Sequence, residues 1–310
     1  MKEQSKSKAG HIFGPVPSRR LGRSLGIDLI PPKTCTYDCL YCQVGLTTEK
    51  TIQRKSWIAV DEIIAELKDK LTAKPDCITL SGSGEPTLYS GCGRLIAEIK
   101  KITDTPIAVI TNGSLLFMPE VRKELLGADM VLPSLDAGDQ ETFEKINRPA
   151  SEVTFDKMLQ GLIDFRKEYK GKYWLEVFFI AGLNDSDEQV EKMAECINKI
   201  QPDRIQLNTV SRPPAEEVNA MSKQRLEQIA GKMGENAEVI ADFKGTVGES
   251  FTAKAEDIVE MLKRRPCSTD DIAAGLKMQK LEVLKAVEEL IKSGKVEPAV
   301  QNNKTYYKVV

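Results

Sequence analysis

The stretch TCTYDCLYCQVG, residues 34–45, is the most informative part of this chain of 310 residues, because it spaces Cys35, Cys39 and Cys42 as C-x3-C-x2-C. Soft thiolate ligands favour iron–sulfur clusters, zinc or copper(I), and most iron–sulfur clusters are held by four cysteines. Three thiolates on one short loop can hold three irons of a [4Fe–4S] cube and leave the fourth iron without a protein ligand. An open metal position is typical of catalysis rather than of structural support.

A structural zinc knuckle is the alternative, and it needs a fourth ligand from elsewhere in the chain. His11 is the single histidine, and the other cysteines are scattered at Cys77, Cys92, Cys196 and Cys267. None of them forms a second C-x2-C pair, whereas structural zinc sites normally combine two paired ligand groups. The spacing therefore favours the cluster over zinc.

The composition is that of an ordinary globular protein, with 41% hydrophobic and 29% charged residues and a formal net charge of −2. This charge argues against a surface that coats nucleic acid. The sequence has no run of about 18 apolar residues, the length that a membrane span requires. Its N-terminal segment MKEQSKSKAGHIFG lacks the apolar stretch of a signal peptide. An odd number of cysteines, 7, spread through the chain, fits a reducing compartment. We therefore expect a cytoplasmic protein with no membrane partner.

Short apolar runs alternate with amphipathic stretches between residues 24 and 207. The predicted strands cover 24–30, 77–80, 107–111, 130–134, 174–180 and 204–209. The predicted helices cover 61–72, 91–102, 118–127, 153–169 and 187–200. Asp61 and Ser186 are candidate capping residues. Strands that alternate with helices are parallel and joined by right-handed crossovers, so we predict an α/β core domain over residues 24–245.

Polar and glycine-rich segments follow these predicted strands. They read PPKTCTYDCLYC, SGSGEPTL, NGSLL, LDAGD, AGLNDS and VSRPP, and the cysteines lie in the first. Ligands of α/β folds collect at the carboxyl ends of the strands. One site at that end would collect all six segments, which is the strongest internal indication of an enzyme.

A different pattern begins near residue 255. Three helical patterns, EDIVEMLKRR, STDDIAAGL and QKLEVLKAVEELIKSG, precede KVEPAVQNNKTYYKVV, which reads as a hairpin around Asn302-Asn303. This order predicts a winged helix-turn-helix-like domain over 255–310, separated from the core by the stretch 243–251. The third helix, 279–293, has three lysines against three glutamates. A groove-reading helix carries surplus positive charge, so DNA binding is not expected.

Residues 1–23 are predicted to form a basic N-terminal arm, which is either a solvated tail or a contact for an anionic substrate or partner. The arm contains Arg19, Arg20 and Arg23. Elsewhere, Arg148 and Arg212 adjoin loops at the predicted active end and suit a phosphate or carboxylate. Ordinary surface salt bridges are the alternative for all of these arginines.

The cysteine spacing, with an aromatic residue at Tyr41 and a position after the first strand of an α/β repeat, resembles the radical S-adenosylmethionine superfamily over about residues 14–215. The resemblance implies a partial parallel (β/α)6 barrel whose Cys35, Cys39 and Cys42 ligate a [4Fe–4S] cluster. It further implies that the reduced cluster cleaves S-adenosylmethionine to methionine and a 5′-deoxyadenosyl radical, which abstracts hydrogen from a substrate. A flavodoxin or ferredoxin would supply the electron. The substrate is unidentified, with RNA and protein as candidates.

The same resemblance assigns cofactor contacts near the cysteines. Tyr41 would lie against the adenine. Four residues match the glycine–glutamate segment that binds the methionyl amino group in the family, namely Gly82, Gly84, Glu85 and Pro86. The chemistry suits this role, because glycines allow close backbone approach and a carboxylate is the countercharge for an ammonium.

Further contacts are implied at later strand ends. Asn112 and Asp136 follow the third and fourth strands, where the family places polar contacts to the cofactor. Residues 180–184 look like the apolar segment on the adenine side. Glu176 and Asn208 are weaker candidates, because an inward polar strand residue can simply serve a buried network.

The segments GPVPSRRLGRSLG, SLDAGD and NRP look like iron–sulfur oxidoreductases related to the tRNA wyosine-synthesis branch. The archaeal form of that branch binds a second cluster through upstream cysteines. No cysteine precedes Cys35, so a single cluster is expected. The alternative function is an iron–sulfur redox sensor that binds DNA through residues 255–310.

Overall fold

The computed structural model describes residues 10–18, 20–240, 255–276, 278, 280–302 and 304–310. Its strands are β1 (Ile12–Ser18), β2 (Gly22–Ile27), β3 (Thr34–Cys35), β4 (Glu49–Lys50), β5 (Cys77–Leu80), β6 (Ile107–Thr111), β7 (Met130–Pro133), β8 (Lys172–Phe179), β9 (Arg204–Thr209), β10 (Ala237–Val239), β11 (Val296–Gln301) and β12 (Lys304–Val309).

Its α-helices are α1 (Val60–Lys70), α2 (Cys92–Lys100), α3 (Pro119–Leu125), α4 (Gln140–Asn147), α5 (Phe155–Glu168), α6 (Asp187–Ile200), α7 (Lys223–Met233), α8 (Ala255–Leu262), α9 (Thr269–Leu276) and α10 (Lys280–Lys292). The sequence pattern did not predict α4 and α7.

One large sheet carries the fold, with the strand order β1-β2-β5-β6-β7-β8-β9-β10. From β2 to β10 every neighbouring pair is parallel, and β1 alone runs antiparallel to its neighbour. Helices connect the parallel strands, so the predicted parallel α/β core is confirmed. The six predicted strands correspond to β2 and β5–β9. The unpredicted strands β1 and β10 lie at the two open edges of the sheet.

Of the two predicted helix-capping residues, Ser186 caps its helix and Asp61 does not. The Ser186 side chain accepts from the Gln189 backbone at 3.2 Å and caps α6, as expected. At α1 the capping position is Ala59, and Asp61 lies inside the first turn instead. An acidic residue in the first turn still interacts favourably with the helix dipole.

The main core lies between the parallel strands and the helices that cover them. β5 is buried along its whole length, and Ile63 and Leu67 of α1 and Leu95 of α2 are fully buried in the same cluster. Strands buried in this way read as continuous apolar runs, which is why they were visible in the sequence. Among the residues that the structure describes, no helix is long and apolar enough to cross a membrane.

The predicted N-terminal arm differs from what the structure shows for residues 10–18. Ile12 and Ser18 pair with Ile27 and Gly22, so this segment is the edge strand β1. The Glu66 carboxylate of α1 accepts from the backbone of Ile12 at 3.0 Å and so holds the strand's beginning. Residues 10–18 contain no lysine or arginine, so no buried cation opposes the burial of their apolar side chains. Residues 1–9 and Arg19 lie outside the described residues.

Three helices and an antiparallel hairpin follow residue 255, in the predicted order. Residues 255–310, hereafter the C-terminal domain, do not form a separate core. Phe13 and Val16 of β1 are buried in the same cluster as Ile258, Ile272 and Val283. The predicted boundary at 243–251 lies outside the described residues, as does Asn303 of the predicted turn.

Two helical glycines give opposite predictions for the same substitution. A Cβ at Gly161 in α5 would lie 2.3 Å from the backbone nitrogen of Phe117, whereas a Cβ at Gly231 in α7 meets nothing within 4 Å. Gly161→Ala should therefore lower the free energy of unfolding by about 1–3 kcal/mol, the usual cost of overpacking. Gly231→Ala should raise it by up to about 1 kcal/mol through helix propensity. Urea unfolding of both variants checks this, and equal effects would contradict the packing.

Candidate functional site

A cavity of about 370 Å³ lies at the carboxyl ends of the parallel strands. It collects side chains from loops after β2, β5, β6 and β7 and from β8 and β9, as the strand-end rule predicts. Of the residues predicted for the site, those that line it are Cys35, Cys39, Tyr41, Cys42, Gly82, Gly84, Glu85, Asn112, Glu176 and Asn208. Asp136 and Pro86 lie behind its wall.

The cysteine loop is held by its own turns and by the end of α4. The Cys42 amide donates to the Cys39 carbonyl at 3.2 Å, and the Gly45 amide donates to the Cys42 carbonyl at 3.3 Å. Gly45 has a φ of 96°, a conformation that favours glycine. The Leu40 amide donates to the Ile146 carbonyl at 3.0 Å, which fixes the loop against the sheet's helical layer.

The three thiols are half-buried, and their reduced contact with water raises their pKa values. Burial raises the pKa of Cys35 to about 12, and the nearby charge of Glu85 adds to the effect. Burial also raises the pKa values of Cys39 and Cys42. A thiolate at these positions needs a cationic partner, which iron provides.

Two side-chain amides point at the sulfurs. Asn112 Nδ2 lies 3.6 Å from Cys35 Sγ, and Asn147 Nδ2 lies 3.4 Å from Cys39 Sγ. Within the described part of the chain, no three histidine, cysteine or acidic side chains converge closely enough to hold one metal ion. A cluster makes no such demand, because each thiolate binds a different iron.

The glycine–glutamate segment packs directly against the cysteine loop. A Cβ at Gly84 would lie 1.9 Å from the Thr34 carbonyl oxygen, and a Cβ at Gly82 would lie 2.3 Å from Asp28 Oδ1. The Lys33 amide donates to the Ser83 carbonyl at 2.7 Å, which joins the two loops further. In this structure Gly82 and Gly84 leave no room for a Cβ because other segments of the protein pack against them. The sequence analysis instead explained these glycines by close approach of the backbone to a cofactor.

Glu85 is 2% exposed and is surrounded by donors. Its Oε1 accepts from Thr87 N at 3.0 Å and from Thr111 Oγ1 at 2.6 Å, and its Oε2 accepts from Asn112 N at 2.8 Å. Burial raises the pKa of Glu85, while these donors oppose the rise. A carboxylate oxygen has two lone pairs, so Oε2 can accept a second hydrogen bond. Glu85 is thus equipped to bind an ammonium group at the cavity wall.

Tyr41 is held in place by stacking and by a buried acid. Its ring lies 3.9 Å from that of Phe178 at an interplanar angle of 13°, and its hydroxyl donates to Asp136. Asp136 also accepts from Asn147 Nδ2 at 2.7 Å, and burial raises its pKa to about 6. Asp136 is thus joined to the cavity wall through Tyr41 and, by way of Asn147, through Cys39. Pro86, also buried, opens the short 3-10 turn that follows Glu85.

The segment 180–184 forms a turn that supports the same region. Asn184 Oδ1 accepts from the Ile180 amide at 2.7 Å, and its Nδ2 donates to the Asp136 carbonyl at 2.8 Å. Ile180 is buried in a small cluster with Phe178, against which Tyr41 and Leu183 pack. The apolar surface expected beside the adenine is thus adjacent to Tyr41.

Of the arginines that the sequence analysis singled out, Arg20 and Arg212 line the cavity and Arg148 does not. Arg20 forms an ion pair with Glu176, and Asn208 Nδ2 donates to Glu176 Oε1 at 2.9 Å. Arg212 lines the cavity. Arg148 pairs with Glu216 and is absent from the cavity wall.

Sequence reasoning missed Asn147, Lys33, Arg264 and Arg265. Asn147 belongs to the NRP motif, to which the sequence analysis gave no role as a donor, and it is the last residue of the unpredicted helix α4. Arg264 and Arg265 come from the C-terminal domain and line the cavity with Lys33. The two adjacent arginines before Pro266 were the available signal in the sequence. No local feature links them with the Gly82–Glu85 loop, which lies about 180 residues earlier in the chain.

Comparisons with known proteins agree with this geometry. The family model described as the radical SAM superfamily matches residues 29–197. A Brachyspira hyodysenteriae protein named GTPase Obg is 43% identical across 99% of this chain, but the chain spans only 46% of that protein. A UPF0026 protein of Methanocaldococcus jannaschii is 33% identical, covering 95% of this chain and 94% of its own length.

A solved radical SAM methyltransferase from Sphaerobacter thermophilus superposes with a TM-score of 0.55 at 20% identity, covering 70% of this chain and 66% of its own. At that identity the likeness concerns the fold alone. Neither the family match nor these relatives support a DNA-binding regulator, and the relation to the wyosine branch stays a prediction.

The donors around Glu85 generate a testable prediction. Thr111→Val removes the hydroxyl that donates to Glu85 Oε1 at 2.6 Å and accepts from the Gly113 amide at 3.1 Å. Because the buried carboxylate then lacks one donor, the free energy of unfolding should fall by about 1–3 kcal/mol in urea titrations. Thr72→Val is the control, since its hydroxyl bonds at the exposed surface. A loss no larger than the control's would contradict the network.

Proposed function

Because this chain belongs to the radical S-adenosylmethionine superfamily, we propose that it is an enzyme whose cavity at the strand ends generates a 5′-deoxyadenosyl radical next to its substrate. The superfamily uses a [4Fe–4S] cluster and S-adenosylmethionine. The observation that carries the proposal is that three thiols of one loop and the buried Glu85 carboxylate line the same cavity.

Cys35, Cys39 and Cys42 would hold the cluster, with Asn112 and Asn147 as amide donors to two of the sulfurs. Hydrogen bonds to the sulfurs raise the reduction potential of a cluster, so both amides favour the reduced state. All seven cysteines are free in the described structure, as a reducing, cytoplasmic environment requires. A flavodoxin or ferredoxin remains the proposed electron donor.

The cofactor's contacts would be divided between charge and stacking. Glu85 would accept from the methionyl ammonium, and Gly82 and Gly84 would keep that carboxylate beside the cysteine loop. Tyr41 would offer its ring to the adenine, held in orientation by Asp136. Asn112 would contribute through its backbone and side chain. These residues would fix the orientation of S-adenosylmethionine before reaction, which is the positioning that lowers the barrier.

Bound together, the reduced cluster and S-adenosylmethionine supply one-electron cleavage to methionine and a 5′-deoxyadenosyl radical, which takes a hydrogen atom from the substrate. The chain's contribution is to bind the cofactor, hold the substrate within reach and limit water in the cavity. Residues of β8, β9 and the C-terminal domain line the remaining space. RNA and protein stay the proposed substrate candidates.

The three-helix and hairpin order of residues 255–310 supports a winged-helix-like fold for the C-terminal domain. We assign it a role in the cavity wall rather than in DNA recognition, because Arg264 and Arg265 face the cavity and share it with the cysteine loop. The division into a core over 24–245 and a domain over 255–310 is retained as part of this proposal, with β1 joined to both.

Loss of one cluster ligand tests the proposal directly. Cys39→Ala should reduce iron from about four per chain to background, since a cube held by two thiolates is unstable. Formation of 5′-deoxyadenosine after anaerobic reduction with dithionite should then fall to background. Cys196→Ala is the matched control, because Cys196 is buried on α6 outside the cavity. Unchanged 5′-deoxyadenosine formation by Cys39→Ala would exclude the mechanism.

Glu85→Gln tests the ammonium contact separately from cluster assembly. The carboxamide removes the countercharge and places an NH2 group against neighbouring donors, so S-adenosylmethionine should bind about tenfold or more weakly. Iron content should stay at the wild-type level. Titration calorimetry measures the affinity, with Glu98→Gln, on α2 away from the cavity, as control. Equal affinities of wild type and Glu85→Gln would rule out this role for Glu85.

A further inference from the structure

Arg264 connects the C-terminal domain with the core through buried ionic contacts. Its Nε lies 3.5 Å from Asp28 Oδ2, and its Nη1 lies 2.6 Å from Glu260 Oε2. Its Nη2 donates to the Gly10 carbonyl at 2.8 Å. The side chains of Arg264 and Asp28 are 9% and 8% exposed, so little water screens their attraction.

Asp28, which follows β2, holds the loop that contains Glu85. Its Oδ1 accepts from Ser83 N at 3.1 Å, and its Oδ2 accepts from Ser83 Oγ at 2.6 Å. Gly82 passes so close that a Cβ there would lie 2.3 Å from Asp28 Oδ1. Asp28 is therefore in contact with the loop on one side and with Arg264 on the other.

We propose that Arg264 is a positioning residue for S-adenosylmethionine, acting through Asp28 on the Gly82–Glu85 loop. This inference rests on the proposed function and extends it, because it makes the C-terminal domain part of the cofactor site. The chain of contacts runs from the guanidinium to the Asp28 carboxylate, then to Ser83, and two residues later to Glu85.

Electrostatics explains why the guanidinium is needed. Burial raises the pKa of Asp28, while Ser83 and Arg264 oppose that rise and favour the carboxylate. Without Arg264, a buried charge loses its partner, which is a strongly unfavourable arrangement. Protonation or movement of Asp28 then weakens its bonds to Ser83. Glu85 loses its fixed position, and a misplacement of about 1 Å is enough to weaken a positioned contact considerably.

The cysteine loop has supports of its own, so cluster assembly should be independent of Arg264. The Leu40 and Asp38 amides donate to carbonyls at the end of α4, at 3.0 and 2.9 Å. The variants should therefore keep wild-type iron content while their affinity for S-adenosylmethionine changes. This separation distinguishes a positioning role from general damage to the site.

The experiment is a double-mutant cycle on the reconstituted full chain, with S-adenosylmethionine affinity and iron content as readouts. Arg264→Met should weaken binding about tenfold, within the usual range of coupling between sites, and Arg264→Lys should restore part of it. In an Asp28→Asn background, Arg264→Met should cause little further loss, because the relay is already broken. Binding is measured without substrate, so direct substrate contacts of Arg264 do not enter.

Asn302→Gly is the matched control for domain docking. It removes the bond from Asn302 Nδ2 to the Val210 carbonyl at 3.2 Å, which also joins the C-terminal domain to the core. Glycine suits the φ of 49° at this position. Affinity for S-adenosylmethionine should stay within about twofold of wild type, since an exchange remote from the relay has no coupling to lose.

Wild-type affinity in Arg264→Met, or an equal loss in the presence and absence of Asp28→Asn, would overturn the inference. Should Arg264→Met not fold, the same cycle with Arg264→Lys decides between these outcomes. A wild-type protein that binds its cluster but neither binds nor cleaves S-adenosylmethionine would instead overturn the proposed function.

Discussion

The close contact between the backbone at Gly84 and the backbone at Thr34 is the constraint on which the rest of the site depends. Gly84 leaves no room for a Cβ next to the Thr34 carbonyl, and the Glu85 amide donates to that same oxygen at 3.3 Å. Glu85 is therefore fixed one residue from the contact, while Cys35 follows Thr34 directly. The proposed ammonium acceptor and the first proposed cluster ligand therefore come from two backbones that touch at the Thr34 carbonyl. The donors around Glu85 and the turns of the cysteine loop maintain an arrangement that this contact defines.

The parallel core could be predicted because its strands are buried on both faces. CITL and IAVIT form continuous apolar runs, and the burial of β5 and β6 explains them. The carboxyl-end rule then grouped the cysteines with Glu85 and Asn112, and the structure has all of them on one cavity wall. Such predictions depend on periodicity and chain direction, which are local properties of a sequence.

Other features depend on contacts between distant segments, so no local pattern carries them. Residues 10–18 lie within the predicted arm 1–23, yet Phe13 is buried because helices some 250 residues later cover it. Asp136 was expected at the cofactor, and its carboxylate is instead occupied by Tyr41 and Asn147. Asn147 had no assigned role, because its distance to Cys39 Sγ is set by the path of α4. The contact between Asp28 and Arg264 likewise joins two segments that are distant in the sequence, so no local pattern predicts it.

The shared cluster of β1 and the C-terminal domain has a consequence for biosynthesis. Phe13 and Val16 are translated about 250 residues before Ile258, Ile272 and Val283, which bury them. The apolar face of an edge strand is therefore uncovered while the intervening residues are made, a condition that favours aggregation and chaperone binding. The parallel core can form before this face is covered. The strand β1 becomes fully native only after α8, α9 and α10 have been made.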